Sequence, residues 1–318
     1  MEAYKSLYKN PEAVIAIVSD VHIDYNGSEI KRRIKMVRKA FTDVEANCGA
    51  DALITVGDTT SRGINKNWDG VKECFEGINP AKNIIFALGN HDTWGDDKGY
   101  GGYEKAIERY YSYSKEICNL QIDKPYFSKN INGYKFIFLG NTESGADQDC
   151  AAFSQEEIDW LKAEITDVNE NKPVFIFCHQ SVNGTHGLPR TWSKKEDPTW
   201  PADKGGIGID SDSVWEILKS HKNVYFFSGH LHMALCGEKM VKKEGYATFE
   251  NKEGVTLINV PSLTRENHHG ETKKTGTGIM MEIYDNKVVL RPRRFTKGKM
   301  FEKITYQSGN SWYESDIR

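Results

Sequence analysis

The chain has 318 residues, 38% of them hydrophobic and 27% charged, a mixture that supports a sizeable folded core and excludes a disordered or fibrous chain. Lys and Arg number 42 against 45 Asp and Glu, so no global positive field draws it to nucleic acid, and binding a polyanion would need a local basic patch. Length alone allows one large domain or two small ones.

The first apolar run, Val14 to Val18, is too short to cross a bilayer, and no basic stretch, apolar segment and small-residue cleavage site precedes it. It reads as a strand, Val14 to Ser19, that ends at Asp20-Val-His22. Glu29 to Asn47 then carries Ile30, Ile34, Val37 and Phe41 at helical spacing. A second strand, Ala52 to Val56, ends at Gly57-Asp58, and a third, Asn83 to Leu88, at Gly89-Asn-His-Asp92. This alternation is the pattern of βαβ units.

Lys135 to Leu139 reads as the next strand, and Ser154-Gln-Glu-Glu157 opens a helix with a capping-box pattern. Strand Val174 to Cys178 runs into His179; on an alternating strand Cys178 faces the other way, into apolar surroundings. Residues 180 to 213 carry Gly184, Gly187, Pro189, Pro198, Pro201, Gly205, Gly206 and Gly208, which exclude a long regular element. Strand Val224 to Ser228 ends at Gly229-His-Leu-His232. Thr256 to Val260, Ile279 to Tyr284 and Lys287 to Leu290 then read as strands of a second sheet, with Asp285-Asn286 as a hairpin turn. The basic run from Arg291 to Lys299 reads as a solvated sheet edge. No repeat, low-complexity tract or linker divides the chain. Six scattered cysteines without a CxxC pair fit reduced thiols and a cytoplasmic setting.

Five segments, Asp20-Val-His22, Gly57-Asp58, Gly89-Asn-His-Asp92, His179 and Gly229-His-Leu-His232, each follow a predicted strand, where an open α/β sheet gathers its ligand-binding loops. Of nine histidines, His22, His91, His179, His230 and His232 fall in them, a bias that surface or core histidines would not show. Residues i and i+2 of an extended segment share a face, so Asp20 and His22 are expected to converge on one ion, and His230 and His232 on a metal pair. Imidazole, carboxylate and amide donors without thiolate suit Mn, Fe, Co or Zn at an open catalytic site. Taken singly, Asn90 is an ordinary turn residue, Asp92 a helix N-cap, and Gly57 and Gly89 turn glycines. Such readings do not explain metal-competent side chains at successive strand ends.

In this order the segments resemble the calcineurin-like metallophosphoesterase family, over roughly residues 14 to 295. The resemblance implies one ion held by Asp20, His22, Asp58 and His232, and a second held by Asp58, Asn90, His179 and His230, with Asp58 bridging. It implies two divalent or transition metal ions, Mn, Fe or Zn, and in-line attack on phosphorus by a metal-bridging hydroxide. His91 would donate a hydrogen bond or proton to the departing alkoxide, with Asp92 orienting it. In Gly57-Asp-Thr-Thr-Ser61-Arg62-Gly63, Ser61 stands where protein phosphatases of the superfamily carry an aspartate that supports the motif histidine. With Asp92 in place of their glutamate, this argues against a phosphoprotein substrate. Arg62 aligns with an arginine that helps hold the substrate phosphate.

The resulting expectation is an α/β chain of two packed mixed β-sheets flanked by helices, a four-layer αββα sandwich. Residues 1–318 form one domain with a long loop insertion at about 180–213. The expected function is metal-dependent phosphoester hydrolysis, first as a phosphodiesterase acting on a small molecule or nucleotide. Nucleotidase, pyrophosphohydrolase and general phosphomonoesterase are the alternatives. A DNA nuclease would need a basic groove, and a non-catalytic scaffold would lack ligands. Selectivity is expected from Trp94 to Tyr103, from Asn267-His268-His269, and from a flap at 181 to 210. In that flap Trp192 and Trp200 would stack on a base or sugar while His186 and Arg190 meet phosphate. Neither nucleic acid nor membrane is expected as a partner, and the sequence is silent on oligomeric state.

Overall fold

Runs such as Ala13-Val-Ile-Ala-Ile-Val18 and Val224-Tyr-Phe-Phe-Ser228 have no polar face, and both are strands buried along their whole length, as happens where a sheet is covered on both sides. The computed structural model describes residues 2–24, 27–93, 102–142, 149–188, 205–272 and 275–318. The elements through the first half are β1 (Ala13–Val18), α1 (Gly27–Asp43), β2 (Ala52–Thr55), α2 (Asn65–Phe75), β3 (Asn83–Phe86), α3 (Gly102–Cys118), β4 (Phe127–Ile131), β5 (Tyr134–Phe138) and α4 (Gln155–Thr166). They continue with β6 (Val174–Phe177), α5 (Ser211–Leu218), β7 (Val224–Ser228), α6 (Glu238–Glu244), β8 (Phe249–Lys252), β9 (Val255–Asn259), β10 (Thr277–Tyr284), β11 (Lys287–Arg294), β12 (Lys299–Met300) and β13 (Tyr313–Asp316).

Two mixed sheets form. The first has the order β12-β11-β10-β1-β2-β3, with β13 also on β11, and the second β4-β5-β6-β7-β9-β8. In the first, β1, β2 and β3 are parallel and β10 joins β1 antiparallel, with Ala13 opposite Ile283 and Ile17 opposite Ile279. In the second, β5, β6, β7 and β9 are parallel and β4 and β8 close the ends antiparallel. The inner faces pack on each other, Ile17, Ile54, Ile85 and Met281 against Phe136, Phe138, Phe177 and Phe227. The outer face of the first sheet is covered through Val37, Phe41, Trp68 and Tyr110 of α1, α2 and α3. That of the second is covered through Leu161, Ile165, Val214 and Leu218 of α4 and α5. This is the expected αββα sandwich, but the C-terminal strands do not form a sheet of their own: β9 pairs with β7, whereas β10 and β11 extend the sheet of β1.

Local departures have physical causes. The periodic segment 29–47 is not one continuous α-helix: α1 ends at Asp43 and a π-helical turn, Val44–Cys48, carries on to Gly49 at φ 58°. The run from Arg291 is not a solvated edge, because β11 lies between β10 and the strands β12 and β13. Arg293 is buried and grips Asp43 through two bonds of 2.8 and 2.9 Å, the planar fork matching a carboxylate. Ser154 caps α4 by accepting from Glu157 N–H. The Glu157 carboxyl, however, accepts from Gly140 N–H at 3.1 Å rather than closing the box.

Candidate metal centre

Parallel strands end together, so the turns after β1, β2, β3, β6 and β7 meet at one rim of the sandwich. The first sheet brings Asp20, His22, Asp58, Asn90 and His91, and the second brings His179, His230 and His232. The chain passes close to itself there. A Cβ on Gly89 would lie 2.1 Å from Asp58 N, and one on Gly229 would lie 1.9 Å from Ser19 Oγ, so only glycine permits this approach.

Among the described residues three groups of donor atoms result, the atoms of each group within 4.8 Å of one another: Asp20, His22 and His232; His22, Asp58 and His91; and Asp58, His179 and His230. Asp58 joins them. Its Oδ2 lies 3.4 Å from His22 Nε2 and 3.1 Å from His179 Nε2, while its Oδ1 accepts from His91 N–H at 2.9 Å. Asp20 Oδ1 lies 3.0 Å from His232 Nε2 and 3.6 Å from His22 Nε2. The Nδ1 of His179 is 2.7 Å from Val56 O; a carbonyl only accepts, so Nδ1 carries a proton and Nε2 is the nitrogen that, once deprotonated, would meet a cation.

Asp20 Oδ1, Asn90 Oδ1 and His179 Nε2 are buried and enter no hydrogen bond of sound geometry, although Asp20 Oδ1 is close to imidazole nitrogens. Buried polar atoms are ordinarily satisfied. Their convergence with an all nitrogen and oxygen donor set fits divalent cations. The electrostatics agree. Burial opposes the charge of Asp58, yet the imidazoles of His179, His91 and His22 hold its carboxyl far below the usual range. Burial opposes protonation of His179, but Asp58 and Asp20 raise it to about 9. Burial and the neighbouring His179 push His230 down to about 3. In the chain alone, an imidazolium thus supplies the positive charge that the carboxylates demand.

His91 has its Nδ1 2.9 Å from Ser61 O. Ser61 therefore supports the histidine through its main chain, in place of the aspartate side chain found in protein phosphatases. Asp92 does not orient the ring. Its carboxyl accepts from Thr60 N–H and Oγ1, both at 2.8 Å, from Gly89 N–H at 3.0 Å and from Thr59 N–H at 3.3 Å. It thereby shapes the turn that carries Asp58, and burial beside Asp58 pushes its pKa up to about 7.

The pocket over the donor groups is lined by Asp58, His91, Asp149, His230, Leu231, His232, Arg265 and His268. His268 belongs to the segment expected to influence selectivity; Arg265 was not anticipated. Arg62 is half-buried on the Asp58 turn. His186 is not brought to this pocket: it is buried, with Nδ1 donating to Ala247 O and its N–H to Glu250, both at 2.8 Å. Arg190, Trp192 and Trp200 lie outside the described residues, as does most of the expected flap. The described ends of that segment are joined by the Ser181–Gly206 bridge and by Asn183, which bonds Gly208 and Ser211. Cys178 is buried in the apolar layer under α4 and α5.

The sequence profile of a family described as calcineurin-like phosphoesterase matches residues 13–234, more than half of the chain. Among solved structures, a purple acid phosphatase from yellow lupin (Lupinus luteus) seeds superposes with a TM-score of 0.57 at 13% identity, over 92% of this chain and 54% of that one. The chain thus spans about half the length of that phosphatase. A phosphopantetheinyl hydrolase from Mycobacterium tuberculosis aligns with a TM-score of 0.49 at 12% identity, over 78% of this chain and 89% of that one. No curated protein sequence matches.

Proposed function

The chain belongs to the calcineurin-like phosphoesterase family, and from this premise we propose that it is a metal-dependent phosphate ester hydrolase that cleaves a small phosphodiester or nucleotide at the centre joined by Asp58. The observation that carries the reading is Asp58 Oδ2, set between His22 Nε2 of one donor group and His179 Nε2 of the other. Asp20, His22, Asp58 and His232 would hold one ion, and Asp58, Asn90, His179 and His230 the other. Mn, Fe or Zn there would supply Lewis-acid stabilisation of phosphoryl charge and activate water for in-line attack.

The protein's own groups do the rest. With Nδ1 anchored on Ser61 O, His91 moves a proton at Nε2 toward the departing oxygen. Ser61 and Asp92 stand where protein phosphatases carry aspartate and glutamate, which favours a small substrate over a phosphoprotein. We read residues 1–318 as one catalytic unit, supported by an inter-sheet core that draws on Ala13 through Leu290. A cytoplasmic setting is supported by six cysteines scattered without a CxxC pair. Among the described residues no helix is long and apolar enough to cross a membrane.

The test is a panel of diesters, monoesters and nucleotides offered to the purified, manganese-loaded protein. Diester hydrolysis that disappears on chelation and returns with metal is expected. A protein that carries two ions and hydrolyses none of them would defeat the reading, and turnover of monoesters alone would replace the diester assignment.

A further inference from the structure

Residues 261–269 contribute nothing to the donor groups, yet they are laced to the turns that do. Leu263 N–H donates to Ser19 O at 2.8 Å, Ser262 Oγ to Asp20 O at 3.0 Å, and Thr264 Oγ1 to Val21 O at 2.7 Å. On the other side, His268 N–H donates to His232 O at 2.6 Å, and Ala234 N–H donates to His268 O at 2.7 Å. Asn267 closes the loop on itself, accepting from Ser262 N–H at 2.8 Å and donating to Ser262 O at 3.1 Å. Arg265 N–H donates to Ser262 Oγ at 3.1 Å. Ser262, Leu263, Thr264 and Asn267 are buried, while Arg265 is half-buried and lines the pocket beside His91, His230 and His232.

Arg265 is thus presented from a rigid base. Among the described residues its hydrogen bond is the main-chain one to Ser262, and its guanidinium enters no ion pair or side-chain hydrogen bond there. Its charge bears on Arg33 and on His91, disfavouring the cationic form of each. A half-buried guanidinium whose side chain has no bonded partner is suited to receive an anion. Its planar fork matches two phosphoryl oxygens.

We propose that Arg265 is a substrate-binding residue that holds a non-bridging oxygen of the phosphoryl group under attack, positioned by the 261–269 platform. The assignment deepens the phosphoesterase reading and rests on it. A monoester dianion places more charge on that oxygen set than a diester monoanion, so Arg265 matters more for a monoester.

Arg265→Ala and Arg265→Lys, loaded with manganese, test this on an aryl phosphate monoester and the matching diester, with metal content, thermal melting and calorimetric binding of inorganic phosphate measured in parallel. For Arg265→Ala we expect unchanged metal content and melting, a fall in kcat/KM of about tenfold to a hundredfold, a larger loss on the monoester, weaker phosphate binding and partial rescue by added guanidinium. Arg265→Lys should lie between alanine and wild type. Unaltered kcat/KM together with unaltered phosphate binding would mean a solvated arginine and overturn the proposal, as would loss of metal. If the wild type hydrolyses neither ester, the phosphoesterase reading falls instead, and phosphate binding by wild type and variant still decides the role of Arg265.

Discussion

At the residue scale, Asp20, His22, Asp58, His230 and His232 all have φ between 45° and 64°. The left-handed region disfavours side chains by roughly 1–2 kcal/mol per residue, and such strain persists where surrounding structure enforces it. Asp20 and His22 therefore converge through successive left-handed turns, and not through the shared face of an extended strand that the sequence suggests. Loss of Asp58 is expected to be the most damaging single change: Asp58→Asn should lose most bound metal and nearly all turnover, and two retained ions with normal rates would remove its bridging role. His91→Ala is expected to keep its metals and to lose about 10²–10⁴-fold on an alkyl ester but far less on an activated aryl ester; equal losses would exclude proton donation. The ligands were legible because each chemically distinctive residue follows its own strand. Arg265 was not, since it stands alone in Pro261-Ser-Leu-Thr-Arg265 and owes its place to bonds with Asp20 and Val21, more than 240 positions away in the chain.

At the element scale, apolar runs identified the buried strands to within a residue or two for β1, β2, β5, β6 and β7. Strands β4, β8 and β13 escaped because they alternate with polar residues or lie partly exposed, as in Phe127-Ser-Lys-Asn-Ile131. Propensity says little about such segments, whose pairing is decided by neighbours distant in sequence. Helix α4 shows a similar limit, with Ser154 at the cap as its pattern implies but Glu157 taken by Gly140. Burial pushes Glu157 well above its ordinary value of 4.5, the Gly140 bond opposing and Asp210 adding to the rise. A folded-state pKa above the unfolded one gives a contribution that is full below about 4.5 and is lost as pH rises. Glu157→Gln, neutral at every pH, should therefore melt above wild type at pH 7.5, by roughly 2 °C or more, and the gap should close toward pH 4. A gap that widens in acid would refute the direction.

At the scale of the whole molecule, the donor groups come from two different sheets, so cations there would act as a clamp between them. Chelation should lower the melting temperature by roughly 5 °C for metal present at a hundredfold excess over its Kd, with activity and melting restored together by added manganese. A melting temperature indifferent to chelation, in protein shown to bind the ions, would mean that the two sheets hold the turns in place unaided. The topology also sets a schedule for synthesis. Strand β1 leaves the ribosome early with β2 soon beside it, but its other edge is covered only by β10, Ala13 meeting Ile283. At about 5–20 residues per second, the intervening chain takes roughly 15–50 s to make. For that interval the nascent protein carries an open, wholly apolar strand edge, the kind of surface that recruits another chain. Yield of native protein should then be governed by how well the cell shields the growing chain.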